Sequence, residues 1–387
     1  MLDTRDAVAF DLTEEQRAVG ALAREIAERE IAPHIAVWDR EGVFPRRLYN
    51  TLGEAGLMGL TVPEAYGGAA ADTISYALVI EELARIDAGA AVTLSVHAMI
   101  CAAIARLGTD EQKSRYLERL ASGEIIAGFA LTEPDAGSDA AAIRATASRD
   151  GAGYLLRGRK QWCTNGSYAG VIMGTFRTGG AGAKGISAFL IDEGTPGMHV
   201  EKVTEKLGIH TSNTVDVAFD DARVAASALL GPEGGGLTSA LSTLSAGRIG
   251  IAAQAVGILA ACLEASVKFA KEREAFGKPV GAFEGVSFKI ARMAMDLDAA
   301  RLLTYRAAAL RDAGKPFAIE ASKAKLFAST AARTHASEAV QIHGGYGYTK
   351  EFPVERYYRD AKITEIYEGT SEIQHLIIAR SLLGRID

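Results

Sequence analysis

The sequence predicts an α+β protein of several domains, in which a β region lies between two helical regions. Residues 1–121 carry apolar side chains at helical spacing, residues 122–232 hold short apolar runs between glycine-rich turns, and residues 233–387 are rich in alanine and leucine. A chain of 387 residues is also longer than one ordinary hydrophobic core supports. We therefore predict an N-terminal helical domain, a middle β-barrel or sandwich domain and a C-terminal helical-bundle domain with those bounds.

The N-terminal region is predicted to be helical from its first capping signal onward. Thr13 and Gln16 have the spacing of a capping box, which begins a helix. Further helical patterns cover roughly 72–88 and 90–107, and another helix is expected behind Thr109 or Asp110. The apolar residues that share one face of the first predicted helix are Val19, Leu22, Ala23 and Ile26.

The middle region is distinguished by its glycines. Residues 121–236 hold 20 of the 41 glycines in the chain, and runs such as "GVIMGTF", "GISAFLI" and "VDVAFDDARV" lie between them. Short strands joined by glycine-rich turns favour a barrel or sandwich over a doubly wound sheet. The segment "GAGAKG" (180–185) matches a dinucleotide-binding motif in letters, but it stands between two strand-like runs. It is therefore predicted to be a hairpin loop.

The C-terminal region is predicted to begin with one long helix. The run from Leu237 to Glu274 is apolar and alanine-rich and contains little that would break a helix. Helical stretches follow near 284–313, 317–342 and 371–384.

Composition and charge disfavour several classes of function. The formal net charge is −6 and the pI is about 5.8, which disfavours binding to nucleic acid or acidic membranes. Since no uninterrupted apolar run reaches about 18 residues and the N-terminus has no signal-peptide character, we expect a cytoplasmic protein without a membrane span. Cys101, Cys163 and Cys262 are few and far apart, which predicts a reducing compartment. The histidines show no metal-ligand spacing, so no metal site is predicted.

Two polar stretches of the middle region could bind a ligand. "FALTEPDAGSD" begins at Phe129 and forms a turn rich in backbone donors, and "KQWCTNG" places Trp162 beside Thr164. A tryptophan can stack on a flat ring while hydroxyl and amide groups supply hydrogen bonds. Each stretch alone is also compatible with a surface turn or with a tryptophan that covers a β core.

The third stretch is "QIHGGYGYTKEFPVERYYRDAKITEIYEGTSEIQ", residues 341–374. Its glycines permit close approach of the backbone to a ligand, and its paired acids and bases (355, 356, 359 and 360) are expected to orient a helix. Ser371 and Gln374 have capping-box spacing and are predicted to begin the last helix. Glu368 lies just before this cap, so capping does not account for a carboxylate there.

Together and in this order, the three stretches resemble the acyl-CoA dehydrogenase family of flavoproteins over essentially the whole chain. The resemblance implies a C-terminal four-helix domain, FAD as cofactor, and a homotetramer built as a dimer of dimers. It also implies an acyl-CoA substrate, electron-transfer flavoprotein as the electron acceptor, and a place in fatty acid β-oxidation.

The resemblance also assigns roles to individual residues. It implies that Glu368 is the catalytic base, which removes the weakly acidic proton alpha to a thioester carbonyl. The carboxylate can do so because it lies in a site closed to water. It implies that the substrate is contacted by Ser138, Ser245, Arg248 and Gly369. It implies that the flavin is surrounded by Phe129, Leu131, Thr132, Gly137, Ser138, Trp162 and Thr164. It implies that the FAD of a neighbouring subunit is held by Arg273, Phe276, Gln341, Gly344, Gly345, Thr370, Ser371 and Glu372.

The chain departs from the family pattern at four positions. Some members carry the base at the position of Gly247, and since glycine cannot accept a proton, Glu368 is the base expected here. The decarboxylating glutaryl branch has an arginine near Ala91, which this chain lacks. Glu284 stands where many relatives have a glutamine that contacts FAD, and Cys163 replaces a common isoleucine or leucine.

The sequence therefore predicts dehydrogenation of a short straight or branched acyl-CoA. Leu94, Val96, His97, Met99 and Ile100 of the helix near 90–107 are bulky and are expected to close the acyl pocket at about four to six carbons. Three alternatives on the same fold stay open, namely an oxidase that passes electrons to oxygen, a nitroalkane-oxidising enzyme, and a non-catalytic nucleic-acid-binding flavoprotein.

Overall fold

The computed structural model describes residues 11–384, in which a β region lies between two sets of helices along the chain. The N-terminal helices are α1 Glu14–Ile26, α2 Ile35–Glu41, α3 Arg46–Glu54, α4 Thr73–Ile86, α5 Ala88–Leu107 and α6 Asp110–Ala121. The C-terminal helices are α7 Gly236–Glu272, α8 Glu284–Asp312, α9 Ala318–His343, α10 Val354–Ile363 and α11 Ser371–Leu383. This order confirms the predicted succession of helical, β and helical regions.

The predicted capping box of Thr13 and Gln16 is confirmed, and Thr109 caps the helix that was expected behind Thr109 or Asp110. The Thr13 and Thr109 side chains each accept a hydrogen bond from the backbone of the third helical residue, and the glutamine at that position closes the box. The predicted buried face of α1 is only partly right. Leu22 is 37% exposed, because α1 packs on α4 through Ala23 and Ile26 and turns residue 22 toward solvent.

The middle region forms an eight-stranded sheet that curls on itself. Strand β1 pairs with β3 and β4, and β2 pairs with the same two strands, so these four close a ring of pairings. The segment 180–185 joins β4 to β5 as a loop, as predicted. The strands are β1 Ile126–Ala130, β2 Thr146–Asp150, β3 Gly153–Thr164, β4 Ala169–Arg177, β5 Ile186–Asp192, β6 Met198–Val203, β7 Thr214–Ala225 and β8 Leu229–Leu230.

The helices of the first and last regions share one hydrophobic core, in which α7 packs against α4, α5, α8 and α9. The domain bounds at residues 121 and 232 stay a prediction. Helices α5 and α7 are long and apolar enough to cross a membrane by length and composition, but 83% of the apolar window in each is buried inside the protein. Both therefore have the burial of core helices.

Charged side chains of α10 join the three regions beside the site. Arg359 pairs with Glu355 one turn earlier and with Asp39 of α2, which confirms the predicted role of these charges in orienting a helix. Asp360 accepts a hydrogen bond from the main-chain N–H of Ile209 in the middle region. The loop that follows α10, which carries Glu368, is thus attached to a firmly placed helix.

Candidate active site

Glu368 lies on the loop between α10 and α11, and its backbone has an uncommon conformation. Its φ angle is +52°, in the left-handed region that side chains other than glycine rarely adopt, and Gly369 follows with a φ of +96°. A residue in this region costs of order 1–3 kcal/mol and persists only where surrounding contacts impose it. Neighbouring elements therefore hold this turn.

The Glu368 side chain points at α7, where its carboxylate fills the space beside Gly247. A Cβ atom placed on Gly247 would lie 2.2 Å from Glu368 Oε2 and 2.9 Å from Met99 Sδ. Residue 368 as a whole is half-buried, but both carboxylate oxygens are shielded from solvent and accept no hydrogen bond within residues 11–384. A shielded carboxylate without a partner is costly, and such groups mark functional sites.

The electrostatic environment of Glu368 suits a base at neutral pH. Burial raises the pKa of its carboxyl group from 4.5 to about 7, and the positive charges of Arg248 and Lys325 oppose this rise. A carboxylate with a pKa near the working pH combines a useful ionised fraction with more basicity than an exposed glutamate has. The main-chain N–H of Glu368 donates to no backbone carbonyl within the described residues, so it is free to serve a ligand.

Two buried cations lie behind the Glu368 turn without bonding to its carboxylate. Arg248 on α7 approaches the Glu368 carbonyl oxygen at 3.4 Å through Nε. Lys325 on α9 donates through Nζ to the Gly369 carbonyl at 2.8 Å. Gln374 on α11 donates to the same Gly369 carbonyl at 2.8 Å. The turn is thus held through its carbonyl groups, which leaves the carboxylate oxygens free.

A pair of hydroxyl groups lies one turn further along α7. The Tyr76 hydroxyl and Ser95 Oγ are 2.9 Å apart, and a Cβ atom on Gly250 would lie within 2.4 Å of both. The face of α5 that meets α7 therefore carries Ser95 and Met99. The expectation that His97 lines the pocket is wrong, because His97 Nδ1 accepts a hydrogen bond from the N–H of Ala127 on β1, on another side of the helix.

The structure brings together the two polar stretches of the middle region. Phe129 on β1 is the antiparallel neighbour of Thr164 on β3, and the Gln161 N–H donates to the Thr132 carbonyl at 2.8 Å. Leu131 is buried, whereas Gly137 and Ser138 are exposed on the turn that follows. The residues assigned to the flavin in this region therefore come from adjacent strands and from the turn after β1, and those that are at least partly exposed offer a surface to a ligand.

Trp162 is the most unusual residue of that surface. Although it lies within β3, its φ angle is +57° and it is 57% exposed. An exposed tryptophan in a strained conformation is an available platform for a flat ring. Cys163 beside it is buried in the β core and faces away from this surface.

A second group of predicted residues lies at the far end of α7. Arg273, Gly344 and Gly345 line a cavity of about 570 Å³, together with Phe269, His343 and Tyr346. The Arg273 guanidinium lies 5.4 Å from the centre of the Tyr346 ring, and a Cβ atom on either glycine would meet nothing within 4 Å. Gln341 is exposed nearby, and Phe276, at 95% exposure, stands at the tip of a hairpin that follows α7.

These two surfaces fit the parts of FAD. Trp162 and the turn at Gly137 offer a stacking face with backbone donors, which suits a flat ring. The open glycines beside Arg273 leave room for a phosphate-bearing chain next to a fixed positive charge. Glu284 is exposed at the first turn of α8, and its carboxylate replaces an amide donor there.

Four other predicted residues lie on or beside α7 and α11. Thr370, and not Ser371, caps α11, because the Thr370 side chain accepts from the Ile373 N–H while the Ser371 hydroxyl donates to the Glu365 carbonyl. The predicted capping box of Ser371 and Gln374 is therefore wrong. Glu372 is exposed in the first turn of α11, and Ser245 Oγ donates to the Leu241 carbonyl one turn earlier on α7.

Lys325 is the principal residue that sequence reasoning missed. It is fully buried, as are Ala321, Ala324, Ala328 and Ala332 of the same helix. A lysine at helical spacing with a stripe of buried alanines is a recognisable signal, because lysine is rarely buried without a purpose.

Comparison with known proteins identifies the same pattern over the full length of the chain. Three family models match, namely the acyl-CoA dehydrogenase N-terminal domain at residues 13–124, the middle domain at 128–222 and the C-terminal domain at 234–383. An acyl-CoA dehydrogenase of Bacillus subtilis (strain 168) is 49% identical over 375 residues, which are 96% of this chain and 99% of the relative. A short-chain specific acyl-CoA dehydrogenase of Clostridium acetobutylicum is 44% identical over 374 residues, 96% of this chain and 98% of the relative.

Solved structures agree with these relatives. Butyryl-CoA dehydrogenase from Megasphaera elsdenii superposes with a TM-score of 0.95 at 43% identity, and the match covers 97% of this chain and 100% of that one. A chain from the structural study of the electron transferring flavoprotein of Acidaminococcus fermentans superposes with a TM-score of 0.96 at 44% identity, covering 98% and 100% of the two chains.

Proposed function

Because the chain belongs to the acyl-CoA dehydrogenase family of FAD-dependent oxidoreductases, we propose that it oxidises a short-chain acyl-CoA to the trans-2-enoyl-CoA with Glu368 as the base. The observation that carries this proposal is the Glu368 carboxylate, which is shielded, free of hydrogen bonds and seated against Gly247. A base in such a place can reach a substrate that enters beside α7, and no competing acid occupies residue 247.

The chemistry of the proposal needs one proton and one hydride to leave the substrate. A Glu368 carboxylate oxygen accepts the proton from the carbon alpha to the thioester, and the beta carbon gives up the hydride. When bound, FAD supplies the two-electron acceptor for that hydride. The free N–H of Glu368 can donate to the thioester carbonyl oxygen, where negative charge develops as the alpha proton leaves.

The surrounding residues explain how the carboxylate keeps its basicity. Burial disfavours the ionised form, and the cations Arg248 and Lys325 limit the rise of the pKa to about 7, so that an ionised fraction of the carboxyl group is present at neutral pH. Since both cations contact carbonyl groups of the turn, neither forms an ion pair that would occupy the carboxylate.

A short acyl chain is supported by two observations. Met99 lies against the Glu368 carboxylate beside Gly247, and the Tyr76–Ser95 hydroxyl pair fills the space beside Gly250. These side chains limit the depth of an acyl pocket between α5 and α7. Among the relatives, the enzymes of Clostridium acetobutylicum and Megasphaera elsdenii are described as short-chain specific.

The position of the second FAD-like surface supports assembly of several copies. Gly247 and Arg273 are 26 positions apart on or at the end of α7, which is about 39 Å along the helix axis. That is longer than one dinucleotide extends, so Arg273 would serve a site to which another copy contributes the base. We therefore propose a homotetramer in which subunits share FAD, with Gly344, Gly345 and Arg273 facing a neighbour.

Electron-transfer flavoprotein is the acceptor that we propose, in the cytoplasm and in the β-oxidation of fatty acids. The similarity to a chain from the structural study of the Acidaminococcus fermentans flavoprotein supports this choice. The oxidase alternative differs in an observable product, since it would release hydrogen peroxide in air without an added acceptor.

The direct test is anaerobic titration of the purified FAD-bound protein with a series of acyl-CoA thioesters of increasing length. The proposal expects bleaching of the flavin absorbance with butyryl-CoA and hexanoyl-CoA and formation of the matching enoyl-CoA. If no acyl-CoA of any length bleaches the flavin, while the protein holds FAD, the proposed function is wrong.

A further inference from the structure

Lys325 is a buried cation whose place in the molecule the reaction chemistry alone does not explain. It has no exposed surface, and its Nζ donates to a single group, the Gly369 carbonyl, at 2.8 Å. Within residues 11–384, no carboxylate oxygen lies within the 4.0 Å of an ion pair with this ammonium group. An ammonium group buried with one neutral partner is expensive, and a protein keeps such a group where it serves a purpose.

The contact of Lys325 falls on the turn whose conformation is strained. The carbonyl groups of Glu368 and Gly369 are consecutive, and each is approached by side chains from helices distant in sequence. Lys325 on α9 and Gln374 on α11 make the two short contacts, both at 2.8 Å, whereas the Arg248 contact is 3.4 Å. Lys325 is therefore the charged residue with the firmest hold on the turn.

Arg248 of α7 is itself held by α9, the helix that carries Lys325. Its second contact is to Ser322 Oγ, at 3.3 Å, and Ser322 lies one turn before Lys325 on α9. Both cations thus face the base from one side, and both direct their donors at oxygens other than those of the carboxylate. The arrangement supplies positive potential to Glu368 while it leaves the proton-accepting oxygens open.

We propose that Lys325 is a positioning residue for the base. Its ammonium group anchors the Gly369 carbonyl and so keeps Glu368 in the left-handed conformation that aims the carboxylate at the space beside Gly247, while its charge favours the ionised form of that carboxylate. This inference rests on the proposed role of Glu368, and it adds to it a residue from another helix that sets both the orientation and the ionisation of the base.

The charges around this pair determine the expected pH dependence. Arg248 of α7 and Lys325 of α9 act on Glu368, and Tyr76 of α4 and the adjacent Tyr367 face the same carboxylate. Glu365 and Glu372 act on Lys325, and burial lowers the pKa of its ammonium group to about 8. The lysine is therefore mostly charged at and below pH 7, on the acidic side of the range in which Glu368, with a pKa of about 7, becomes ionised.

Removal of the positive charge has a defined sign. Without the lysine charge, the ionised form of Glu368 loses one of its two stabilising cations, so its pKa rises above about 7. A larger fraction of the carboxyl is then protonated at pH 7 and cannot accept a proton. Activity is lost on the acidic side and is recovered in part as the pH is raised.

The test compares Lys325→Met, Lys325→Gln and Lys325→Arg in the FAD-bound protein, with Lys323→Met as the matched control. Lys323 lies on the same helix but is partly exposed and pairs with Glu320 at 2.9 Å. The measurement is the pH profile of kcat and of kcat/KM for butyryl-CoA, with FAD content and circular dichroism as checks of folding.

The expected result separates charge from hydrogen bonding. In K325M and K325Q, the acidic limb of kcat/KM moves upward by at least about half a pH unit, which lowers kcat/KM about threefold below the limb. K325R keeps the wild-type limb because it keeps the charge, and K323M is unchanged. The loss appears in kcat more than in KM, because the substitution affects the base and leaves the contacts to CoA unchanged.

Two outcomes would overturn the inference. One is a wild-type acidic limb in a folded K325M or K325Q protein, and the other is an equal displacement of the limb in K323M. If K325M does not fold, K325Q and K325R decide the question. Failure of the proposed function is distinguishable, because wild type would then not be reduced by any acyl-CoA, or a Glu368→Gln protein would be as active as wild type whatever the Lys325 variants do.

Discussion

The carboxylate of Glu368 occupies the space that a side chain at Gly247 would need. A Cβ atom on Gly247 would stand 2.2 Å from Oε2 of Glu368, a separation that real carbon and oxygen atoms do not tolerate. Helix α7 and the loop before α11, which are distant in sequence, thus meet at one point, because α7 has no side chain at Gly247 and the loop carries a carboxylate there.

Gly247→Ala tests this relationship. The added methyl group forces the carboxylate away from its position, and a displacement of about 1 Å in a reacting group can reduce the rate about 100-fold. We expect kcat/KM for butyryl-CoA to fall by roughly that factor while FAD stays bound. Gly285→Ala on α8 is the control, since a Cβ atom there meets nothing within 4 Å. If kcat/KM of Gly247→Ala lies within about threefold of wild type, the carboxylate does not accept the proton at the position beside Gly247.

Glu368→Gln tests the base itself. The amide has nearly the shape of the carboxyl group but cannot accept the alpha proton, so the fold and the bound flavin should persist. A single positioned base contributes about 10²–10⁴-fold to rate, and we expect kcat to fall by at least that much. Stopped-flow measurement of flavin reduction by butyryl-CoA gives the number. Turnover within about threefold of wild type would contradict the assignment.

The sequence predicted those parts of the fold that depend on neighbouring residues. The capping box of Thr13 and Gln16 is local and forms where the spacing indicates, and Thr109 caps the helix that was expected behind it. The cap of α11 was misplaced by one residue, because Ser371 turns its hydroxyl back to the Glu365 carbonyl in a loop whose shape is set by α7 and α9. The orientation of His97 was wrong because α5 is buried on nearly all sides, so periodicity gives no indication of which face meets the site.

The candidate site was predictable in its residue types but not in its geometry. Capping of α11 does not account for the Glu368 carboxylate, and the resemblance to the acyl-CoA dehydrogenase family is what assigned it the role of base. Its φ of +52° and the hold of Lys325 on Gly369 depend on contacts between helices about 40 positions apart, which the sequence does not reveal.

The stability of Glu368→Gln relative to wild type should depend on pH. Because the pKa of Glu368 is raised from 4.5 to about 7, the folded protein holds a proton that the unfolded chain releases between these values. That stabilisation is fully present below pH 4.5 and is lost as the pH rises through about 7. Glutamine does not titrate, so the variant should gain on wild type by about 3 kcal/mol at most between pH 5 and pH 8.

Thermal unfolding at the two pH values checks this expectation. The variant should have a Tm close to that of wild type at pH 5 and a Tm higher by a few degrees at pH 8. A difference in Tm that does not change between pH 5 and pH 8 would mean that the carboxyl group has an ordinary pKa in the folded protein.

Arg273→Ala tests the shared cofactor surface. Removal of the guanidinium takes a fixed positive charge from the cavity beside Gly344 and Gly345, and we expect both FAD retention and tetramer stability to decrease. Gel filtration after dilution, with flavin absorbance recorded on each peak, measures the two together. Lys271→Ala, which removes an exposed charge two residues earlier, is the control. If wild type, Arg273→Ala and Lys271→Ala contain equal FAD after dilution, Arg273 is a solvent-exposed arginine that does not hold the cofactor.

Met99→Ala tests what limits the acyl chain. Met99 is buried, and its Sδ lies where α5, α7 and the Glu368 side chain meet, so its truncation lengthens the space beyond the base. Each additional methylene that finds apolar surroundings gains roughly 0.8 kcal/mol, or about fourfold in kcat/KM. For wild type we expect the highest kcat/KM at about four to six carbons, with a decline beyond about eight because overfilling a packed pocket costs about 1–3 kcal/mol.

In Met99→Ala the optimum should move to longer chains by about two carbons, since the freed volume is that of a few methylene groups. Ile100 was also expected to close the pocket, but it is fully buried and, unlike Met99, is not among the atoms nearest Gly247, so Ile100→Ala should lower stability without moving the optimum. An even-numbered acyl-CoA series with ferricenium as acceptor decides between them: an unmoved optimum in Met99→Ala, or a wild-type maximum at twelve or more carbons, would place the end of the pocket elsewhere.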